Sequence, residues 1–438
     1  MSRYSVRTAL HERLVYALVA CAALAAGPAN AITVEFVTVG NPGNAVSIHG
    51  HGAVAYDYQI GKYEITAGQY TAFLNAVAAD DIHNLYTAYM SDPSDSPGPV
   101  GNNVQRFGSP GNYTYTVEPE WADRPVNYVN GWDAARFANW LHNGQPTGTQ
   151  GPGTTENGAY HDLGDPALFG RSAGALYFIP TTDEWYKAAF HSKGAGLVAS
   201  YFDYPTRSNL TPGNDPTEVS TPGNNRNTAV DSQFAIGAHY YRSPVGEFEL
   251  SESPYGTFDQ DGNVSEWTEP SDGDGAAYVW GGAFTGRFGV GPQGSFDGQP
   301  EFVSLGSESR FRGFRLAAPV PEPGDYNGNG AVDAADYVVW RNTFGQAGAG
   351  LVADGNGDGG VDQLDYQLWR ASFGQTAAPG AGATAALTSM SSAELPNSSA
   401  DIAVPEPNTI ILAALVLAHL AIRWRPRPAN GCMKPPRW

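Results

Sequence analysis

The stretch IPTTDEWYKAA at residues 179–189 predicts the beginning of a helix in the longest folded part of the chain. Thr181 precedes Glu184 by three residues, which is the spacing of a capping box, where each side chain accepts a bond from a free backbone N–H group. Apolar residues recur at helical spacing after Thr66 and again over 132–141, so two further helices are expected. This region is therefore expected to contain three amphipathic helices separated by long connections.

The connections around these helices are irregular in composition. Alternating patterns predict strands over 33–37 and 54–65. Long stretches rich in Gly, Pro and Asn occupy residues 91–118, 143–175 and 205–233. So much irregular chain is unusual in a compact domain, and it favours a loop-dominated fold. We place this domain at 32–319, followed by a short linker at 320–323.

The charge balance excludes one class of partner. The chain has 438 residues and a formal net charge of −20, and only 16% of its residues are charged. No basic stripe is available to displace the counterions of a phosphate backbone, so no nucleic acid is expected as a partner. The balance fits an acidic exported protein, or one with several cation sites.

Both ends of the chain have the features of export and sorting signals. Residues 1–31 contain arginines, an apolar stretch and then small residues, which together predict a secretory signal peptide cleaved after Ala31. At the other end, a Pro-Glu-Pro motif, an apolar helix and an arginine cluster follow one another over 404–428. This order resembles the PEP-CTERM sorting signals that an exosortase processes, and a simple transmembrane anchor is the alternative. Residues 375–403 are predicted to be a flexible linker, and 429–438 a short tail.

Cysteine usage restricts the chemistry of the mature protein. The chain has two cysteines, Cys21 within the predicted signal peptide and Cys432 beyond the predicted sorting segment. If both ends are removed, the mature protein has no disulfide, no thiolate nucleophile and no cysteine metal ligand.

An internal repeat occupies residues 324–374. In each copy, side-chain oxygens fall at loop positions 1, 3, 5, 9 and 12, with glycine at position 6 and a backbone carbonyl at position 7. Calcium binds six to eight oxygen ligands, and an EF-hand-type loop supplies them at this spacing. The predicted ligands of the first loop are Asp325, Asn327, Asn329, Ala331, Asp333 and Asp336. Those of the second loop are Asp354, Asn356, Asp358, Gly360, Asp362 and Asp365.

Two features of this repeat resemble dockerin type I modules, which are small and all-α. These are Asp at position 12 and the lack of an entering helix before the first loop. The resemblance implies Ca²⁺ as the bound ion and a cohesin-like docking partner, and a structural spacer is the alternative. The second loop has four carboxylates and the first has three, so Asp354→Ala should cost more calcium affinity than Asp325→Ala.

Five motifs, including the stretch at 179–189, occur in order across the main domain. They are YQIGKYEIT at 58–66, RPVNYV with WDAA over 124–135, IPTTDEWYKAA at 179–189, DGNVSEWT at 261–268, and GGAF with GFRLA over 281–317. This order resembles the formylglycine-generating enzyme family, also called sulfatase-modifying factors. The resemblance covers residues 33–318 and implies the C-type-lectin-like α+β fold of that family.

The cysteines that this family needs for its reaction are absent from the matching positions. The resemblance implies oxidation of a substrate cysteine by copper held on two cysteines, and the corresponding positions here fall near Gly286 and Gly291. Glycine has no ligand atom, and thiolate is the ligand that selects Cu(I). Formylglycine generation by that route is therefore not expected, and no catalytic residue is assigned.

The resemblance also implies a structural calcium site near the Gly-Asn-Val segment. The matching positions are Asp259, Gly262, Val264 and Glu266, which offer two carboxylates and two backbone carbonyls. Such a set suits a hard cation, whose role in the family is to brace loops. The alternative is an exposed acidic turn.

These observations favour an exported, non-catalytic, calcium-stabilised binding module near the cell envelope or outside the cell, with an unidentified protein or glycan ligand. Two alternatives stay open on the sequence. One is an oxidoreductase of the same superfamily with non-cysteine chemistry. The other is a component that the repeat recruits to a polysaccharide-degrading assembly.

Overall fold

The computed structural model describes residues 31–93, 100–215, 225–229, 233–270, 275–285, 300–348 and 351–376. All of them belong to one structural unit, residues 1–384. The predicted sorting segment and tail lie outside the described residues, as do the predicted signal peptide except Ala31 and the flexible linker beyond Thr376. Within the described residues, no helix is long and apolar enough to cross a membrane.

The three predicted helices of the main domain are confirmed. The helices of the domain are α1 (Ala67–Val77), α2 (Pro119–Ala122), α3 (Gly131–His142) and α4 (Thr182–Phe190), and the short helix α2 is the one that the sequence did not predict. Two 3₁₀ turns lie at Ala88–Ser91 and Lys193–Ala195. Thr66, Asn130 and Thr181 cap α1, α3 and α4, and each of these helices begins with a complete capping box. These caps bond to backbone N–H groups that would otherwise have no partner, so the sequence itself fixes where the helices start.

The strands of the main domain are short. They are β1 (Phe36–Val39), β2 (Tyr58–Gly61), β3 (Val104–Phe107), β4 (Thr114–Val117), β5 (Tyr160–His161), β6 (Gly170–Arg171), β7 (Ser265–Trp267), β8 (Ala276–Trp280), β9 (Glu301–Ser304), β10 (Arg312–Gly313) and β11 (Ala317–Pro319). An antiparallel sheet in the order β1-β2-β11 joins the two ends of the domain. A second sheet has the order β10-β7-β8-β9, and β10 runs parallel to β7. Two separate hairpin ladders pair β3 with β4 and β5 with β6.

Aromatic side chains join α1 to α3 across the largest apolar cluster. Tyr70 and Phe73 of α1 contact Phe137 and Trp140 of α3, with ring centroids 5.2 to 6.1 Å apart. All four side chains are buried. Aromatic residues remove the largest areas from water, so this contact is a main source of stability for the scaffold that carries the loops.

The structure differs from several local expectations. The stretch 143–175, expected to be irregular, contains the short β5–β6 ladder. β1 begins three residues after the start of the strand predicted over 33–37. The stretch 91–118, expected to be irregular, contains the β3–β4 hairpin. Tyr115 of this hairpin packs against Tyr86, and its hydroxyl donates to the Ala78 carbonyl at 2.9 Å. Contacts with the end of α1 therefore order a segment whose local composition favours a loop.

The internal repeat at 324–374 folds as a small helical module with its own apolar core. Its helices are α5 (Ala334–Thr343) and α6 (Gln363–Ser372), each directly after one loop. The buried apolar residues of the module are Tyr326, Val332, Trp340, Ala353, Val361 and Trp369. Antiparallel bridges join Ala331 to Thr376 and Ala347 to Gly360, so each loop is paired with the segment that follows a helix.

Candidate calcium centres

The first loop is closed by the side chain at its first position. Asp325 accepts bonds from the backbone N–H groups of Asn329 and Gly330 at 3.1 and 2.8 Å. Gly330 has a φ of 81°, a left-handed conformation that glycine adopts at low steric cost. The turn therefore needs the glycine that the calcium-loop pattern places at position 6.

The second loop repeats this geometry. Asp354 accepts bonds from the N–H groups of Asp358 and Gly359, again at 3.1 and 2.8 Å. Gly359 has a φ of 89°. Two segments of different sequence thus adopt the same turn, because the residues at positions 1 and 6 are the same in both.

The aspartates at position 12 are the most buried of the predicted ligands. Asp336 accepts the N–H groups of Asn327 and Asp333 at 2.9 and 2.7 Å. Asp365 accepts the N–H groups of Asn356 and Asp362 at 3.2 and 2.7 Å. Each carboxylate therefore lies against positions 3 and 9 of its own loop.

The other predicted ligands lie in the same two turns. At position 5, Asn329 Oδ1 accepts the N–H of Ala331 at 2.9 Å, and Asp358 Oδ1 accepts that of Gly360 at 3.1 Å. The carbonyls of Ala331 and Gly360 belong to position 7 of their loops.

The aspartates at position 9 also cap the helices that follow their loops. Asp333 caps α5 by accepting the N–H of Ala335 at 2.7 Å, and Asp362 caps α6 through Leu364 at 2.6 Å. A position 9 side chain commonly binds calcium through a water molecule, and the capping geometry is compatible with that arrangement.

The charge of the two loops fits a cation. Asp336 and Asp365 are 0% exposed, and in the described part of the chain neither is paired with an arginine or lysine side chain. Burying an ionised carboxylate without a countercharge is costly, and a bound cation removes that cost. Burial raises the pKa of Asp325, and the neighbouring charge of Asp336 adds to the increase.

The side chains alone do not enclose an ion. Within the described residues, no three Asp, Glu, His or Cys side chains converge on a point where a metal could bind. EF-hand-type loops also use amide and carbonyl oxygens, which positions 3, 5 and 7 supply here. The residues fit calcium, and the ligand set itself stays a prediction.

The second predicted calcium site lies in the main domain, where Glu266 is already paired. Arg315 contacts its two carboxylate oxygens at 2.5 and 2.6 Å, and the Trp185 indole N–H donates to it at 2.7 Å. Glu266 and Arg315 are both fully buried. This carboxylate therefore has a countercharge from the chain itself, which a calcium ion there would have to share.

Beside this pair lies a carboxylate that the sequence reasoning missed. Glu64 is 2% exposed, and in the described residues neither of its oxygens has a hydrogen-bond partner. Burial raises the pKa of Glu64 well above its ordinary range, and the charges of Asp259 and Glu266 add to the increase. Burial also raises the pKa of Asp259 to about 6, although Asp259 accepts the N–H of Gly246 at 2.6 Å.

An orphaned carboxylate beside Asp259 fits a cation at the Gly-Asn-Val turn. The turn is tight, because a Cβ on Gly262 would approach the Asn227 carbonyl oxygen to 2.2 Å. Val264 is buried beneath it. The signal for Glu64 was present in the sequence, as an acidic residue directly before the buried Ile65 in the YEIT segment.

The positions that match the family's copper cysteines lie outside the described residues. Gly286 and Gly291 follow strand β8 and the buried residues Ala283 and Phe284. The described side of this region is apolar, since Ala283 and Phe284 cluster with Val100 and Tyr241.

The comparisons with known proteins identify two domain families. The sulfatase-modifying factor enzyme 1-like domain matches residues 37–320, which is more than half of the chain. The dockerin type I domain matches residues 323–371. None of the curated proteins matches the chain.

Solved structures similar to this chain have low sequence identity to it. The crystal structure of CarF is 20% identical, covers 66% of this chain and 100% of its own, and gives a TM-score of 0.42. Treponema denticola variable protein 1 is 17% identical over 67% of this chain and 97% of its own, with a TM-score of 0.36. PvdO from Pseudomonas aeruginosa is 19% identical, covers 66% of this chain and 93% of its own, and gives a TM-score of 0.33. The family matches therefore decide the assignment: the chain belongs to the sulfatase-modifying factor enzyme 1-like family and carries a dockerin type I domain after its main domain.

Proposed function

We propose that this chain is an exported, non-catalytic member of its family, in which a calcium-binding dockerin module supports a loop-rich binding domain at the cell envelope. The observation that carries the calcium part is the pair of buried carboxylates, Asp336 and Asp365, without a basic partner in the described residues. A small module with a limited apolar core gains much of its stability from metal ligands.

The non-catalytic part of the proposal rests on cysteine. The sequence has no cysteine between Cys21 and Cys432, so the whole matched domain at 37–320 lacks a thiol. Without thiolate ligands, Cu(I) has no selective site, and a substrate cysteine has no partner for thiol exchange. The domain keeps the family scaffold and presents its loops for binding, and a protein or glycan is the ligand class we propose.

A second candidate function is docking, and the dockerin match favours it. In that role the module binds a cohesin, and the main domain is cargo in an assembly outside the cell. A tight complex formed by the module but not by the main domain would support this function over that of a spacer.

The proposal is tested on the purified chain without residues 1–31, by metal analysis and by an assay for oxidation of a cysteine-containing peptide with copper supplied. We expect two or three calcium ions per chain, no retained copper or iron, and no peptide oxidation. Stoichiometric copper or iron, or turnover of the peptide, would overturn the non-catalytic assignment. The variant Asp336→Asn with Asp365→Asn is the matched control, and it should lose two of the calcium ions.

A further inference from the structure

The two halves of the dockerin module are connected by a reciprocal pair of hydrogen bonds. Trp340 of α5 donates its indole N–H to the carbonyl oxygen of Asp362 at 2.8 Å. Trp369 of α6 donates its indole N–H to the carbonyl oxygen of Asp333, also at 2.8 Å. Each tryptophan thus bonds to position 9 of the loop that precedes the other helix.

The residues that accept these bonds are central to their loops. Asp333 and Asp362 are the N-caps of α5 and α6, and their backbone N–H groups donate to the position 12 carboxylates at 2.7 Å. Fixing the carbonyl of position 9 therefore fixes the peptide unit that separates the loop from its helix. That unit sets the distance between the ligands at positions 7, 9 and 12.

Both tryptophans are held in place by packing. Trp340 and Trp369 are 7% and 5% exposed, and their rings contact Tyr366 and Tyr337 of the opposite helices at 5.0 and 5.3 Å. An indole N–H buried in this way is costly to leave without an acceptor. The bond to the opposite loop is therefore part of the packed core and not a surface contact.

We propose that Trp340 and Trp369 are positioning residues for calcium, each acting on the loop of the other half, and that they couple the two loops. The inference rests on the proposed calcium binding of the module. Calcium in the first loop orders Asp333, which holds Trp369 and with it helix α6 of the second half. Calcium in the second loop orders Asp362 and holds Trp340 in the same way, so filling one loop favours filling the other.

The test measures the affinity of one loop at a time, by calorimetric calcium titration of the full exported chain. Asp325→Ala leaves the second loop to be measured, and Asp354→Ala leaves the first. Adding Trp340→Phe removes the indole donor and keeps an aromatic ring. We expect W340F to weaken the second loop about fivefold, the factor typical of one neutral hydrogen bond, and to change the first loop less than about twofold.

Trp369→Phe should give the mirror result, with the larger loss at the first loop. Val338→Ala on the exposed face of α5 is the matched control and should change neither loop. Equal losses at both loops, larger losses at the loop nearest in sequence, or no change would overturn the inference. Absence of calcium binding by the parent chain would instead refute the proposed function, so the two failures are distinct.

A second measurement needs no tryptophan substitution. In the Asp325→Ala chain labelled with ¹⁵N-tryptophan, calcium filling the second loop should shift the indole N–H resonance of Trp340 more than that of Trp369. In the Asp354→Ala chain the order should reverse. The same order in both chains would contradict the cross-loop assignment.

Discussion

The main domain and the dockerin module differ in what lies against the negative charge of their buried carboxylates. In the main domain, three buried acidic side chains are paired with buried arginines. These pairs are Glu266–Arg315, Glu269–Arg171 and Asp261–Arg226. In the module, Asp336 and Asp365 are as deeply buried, but in its described part no arginine or lysine side chain contacts them. Within the described residues, backbone N–H groups donate to both carboxylates.

The difference indicates where each part obtains its countercharge. In these three pairs of the main domain, an arginine of the chain itself supplies the countercharge. The arginines of the module, Arg341 and Arg370, lie in the last turns of its helices, and in the described residues neither pairs with Asp336 or Asp365. We therefore expect the module to take its countercharge from a cation in solution, which would link its stability to the calcium concentration. Other buried ionisable residues of the main domain have no opposite charge in direct contact within the described residues, among them Glu64, Asp133, Lys187 and Arg242.

The largest expected effect comes from removing an arginine that pairs with a buried carboxylate of the main domain. Arg315→Met leaves Glu266 buried without its countercharge, which should destabilise the fold by about 3 to 5 kcal/mol. Urea unfolding followed by tryptophan fluorescence measures the loss. Adding Glu266→Leu to the same chain should recover part of it, because the unpaired charge is then absent.

Arg207→Met is the control for that substitution. Arg207 pairs with Glu252 at 2.8 Å, and both side chains are well exposed. Solvent screens such a pair, so its loss should cost less than about 1 kcal/mol. A similar cost for both arginine variants would contradict the claim that buried pairs stabilise this domain.

The next largest effect is on the calcium affinities that we expect for the two loops of the module. Asp354→Ala removes one of four carboxylates and Asp325→Ala one of three, and both aspartates close their turns with the same bonds. We expect each to weaken its own loop at least about tenfold, with the greater loss of calcium affinity for D354A. Calorimetric titration of the two variants measures the order. A greater loss for D325A would contradict the argument from charge count.

The smallest effect concerns Lys187, whose Nζ donates to the Asn41 carbonyl at 3.0 Å. Burial lowers the pKa of Lys187 to about 8. The unfolded chain keeps the proton up to its ordinary pKa, while the folded chain releases it above pH 8. Stability should therefore rise with pH, by about 2 kcal/mol between pH 7 and 9.5.

Lys187→Met should remove this slope. Urea midpoints of the parent chain and the variant at pH 7, 8 and 9.5 provide the measurement. An equal slope in both chains would show that another group titrates in this window.

The sequence predicted those parts that depend on local chemistry. The caps at Thr66 and Thr181 place helix starts, and the oxygen spacing of the repeat places two turns, because the interacting residues are within a few positions of each other. The same reasoning missed the β3–β4 hairpin, whose Tyr115 hydroxyl bonds to Ala78.

It also missed the contacts that join distant segments. Glu64 lies beside Asp259 and Glu266 only after folding, and the tryptophan bonds of the module cross from one half to the other. No local pattern encodes these pairs. The acidic residue in the YEIT segment and the repeated tryptophan were visible, but their partners were not.

The central claim is that the module needs calcium and the main domain's scaffold does not. Hydrogen–deuterium exchange of the full exported chain, with excess calcium and then with a chelator, tests it directly. We predict that chelation abolishes protection of the backbone amides in α5 and α6, while α1 and α3 stay protected. Unchanged protection of α5 and α6 without calcium would contradict the account, as would an equal loss in all four helices.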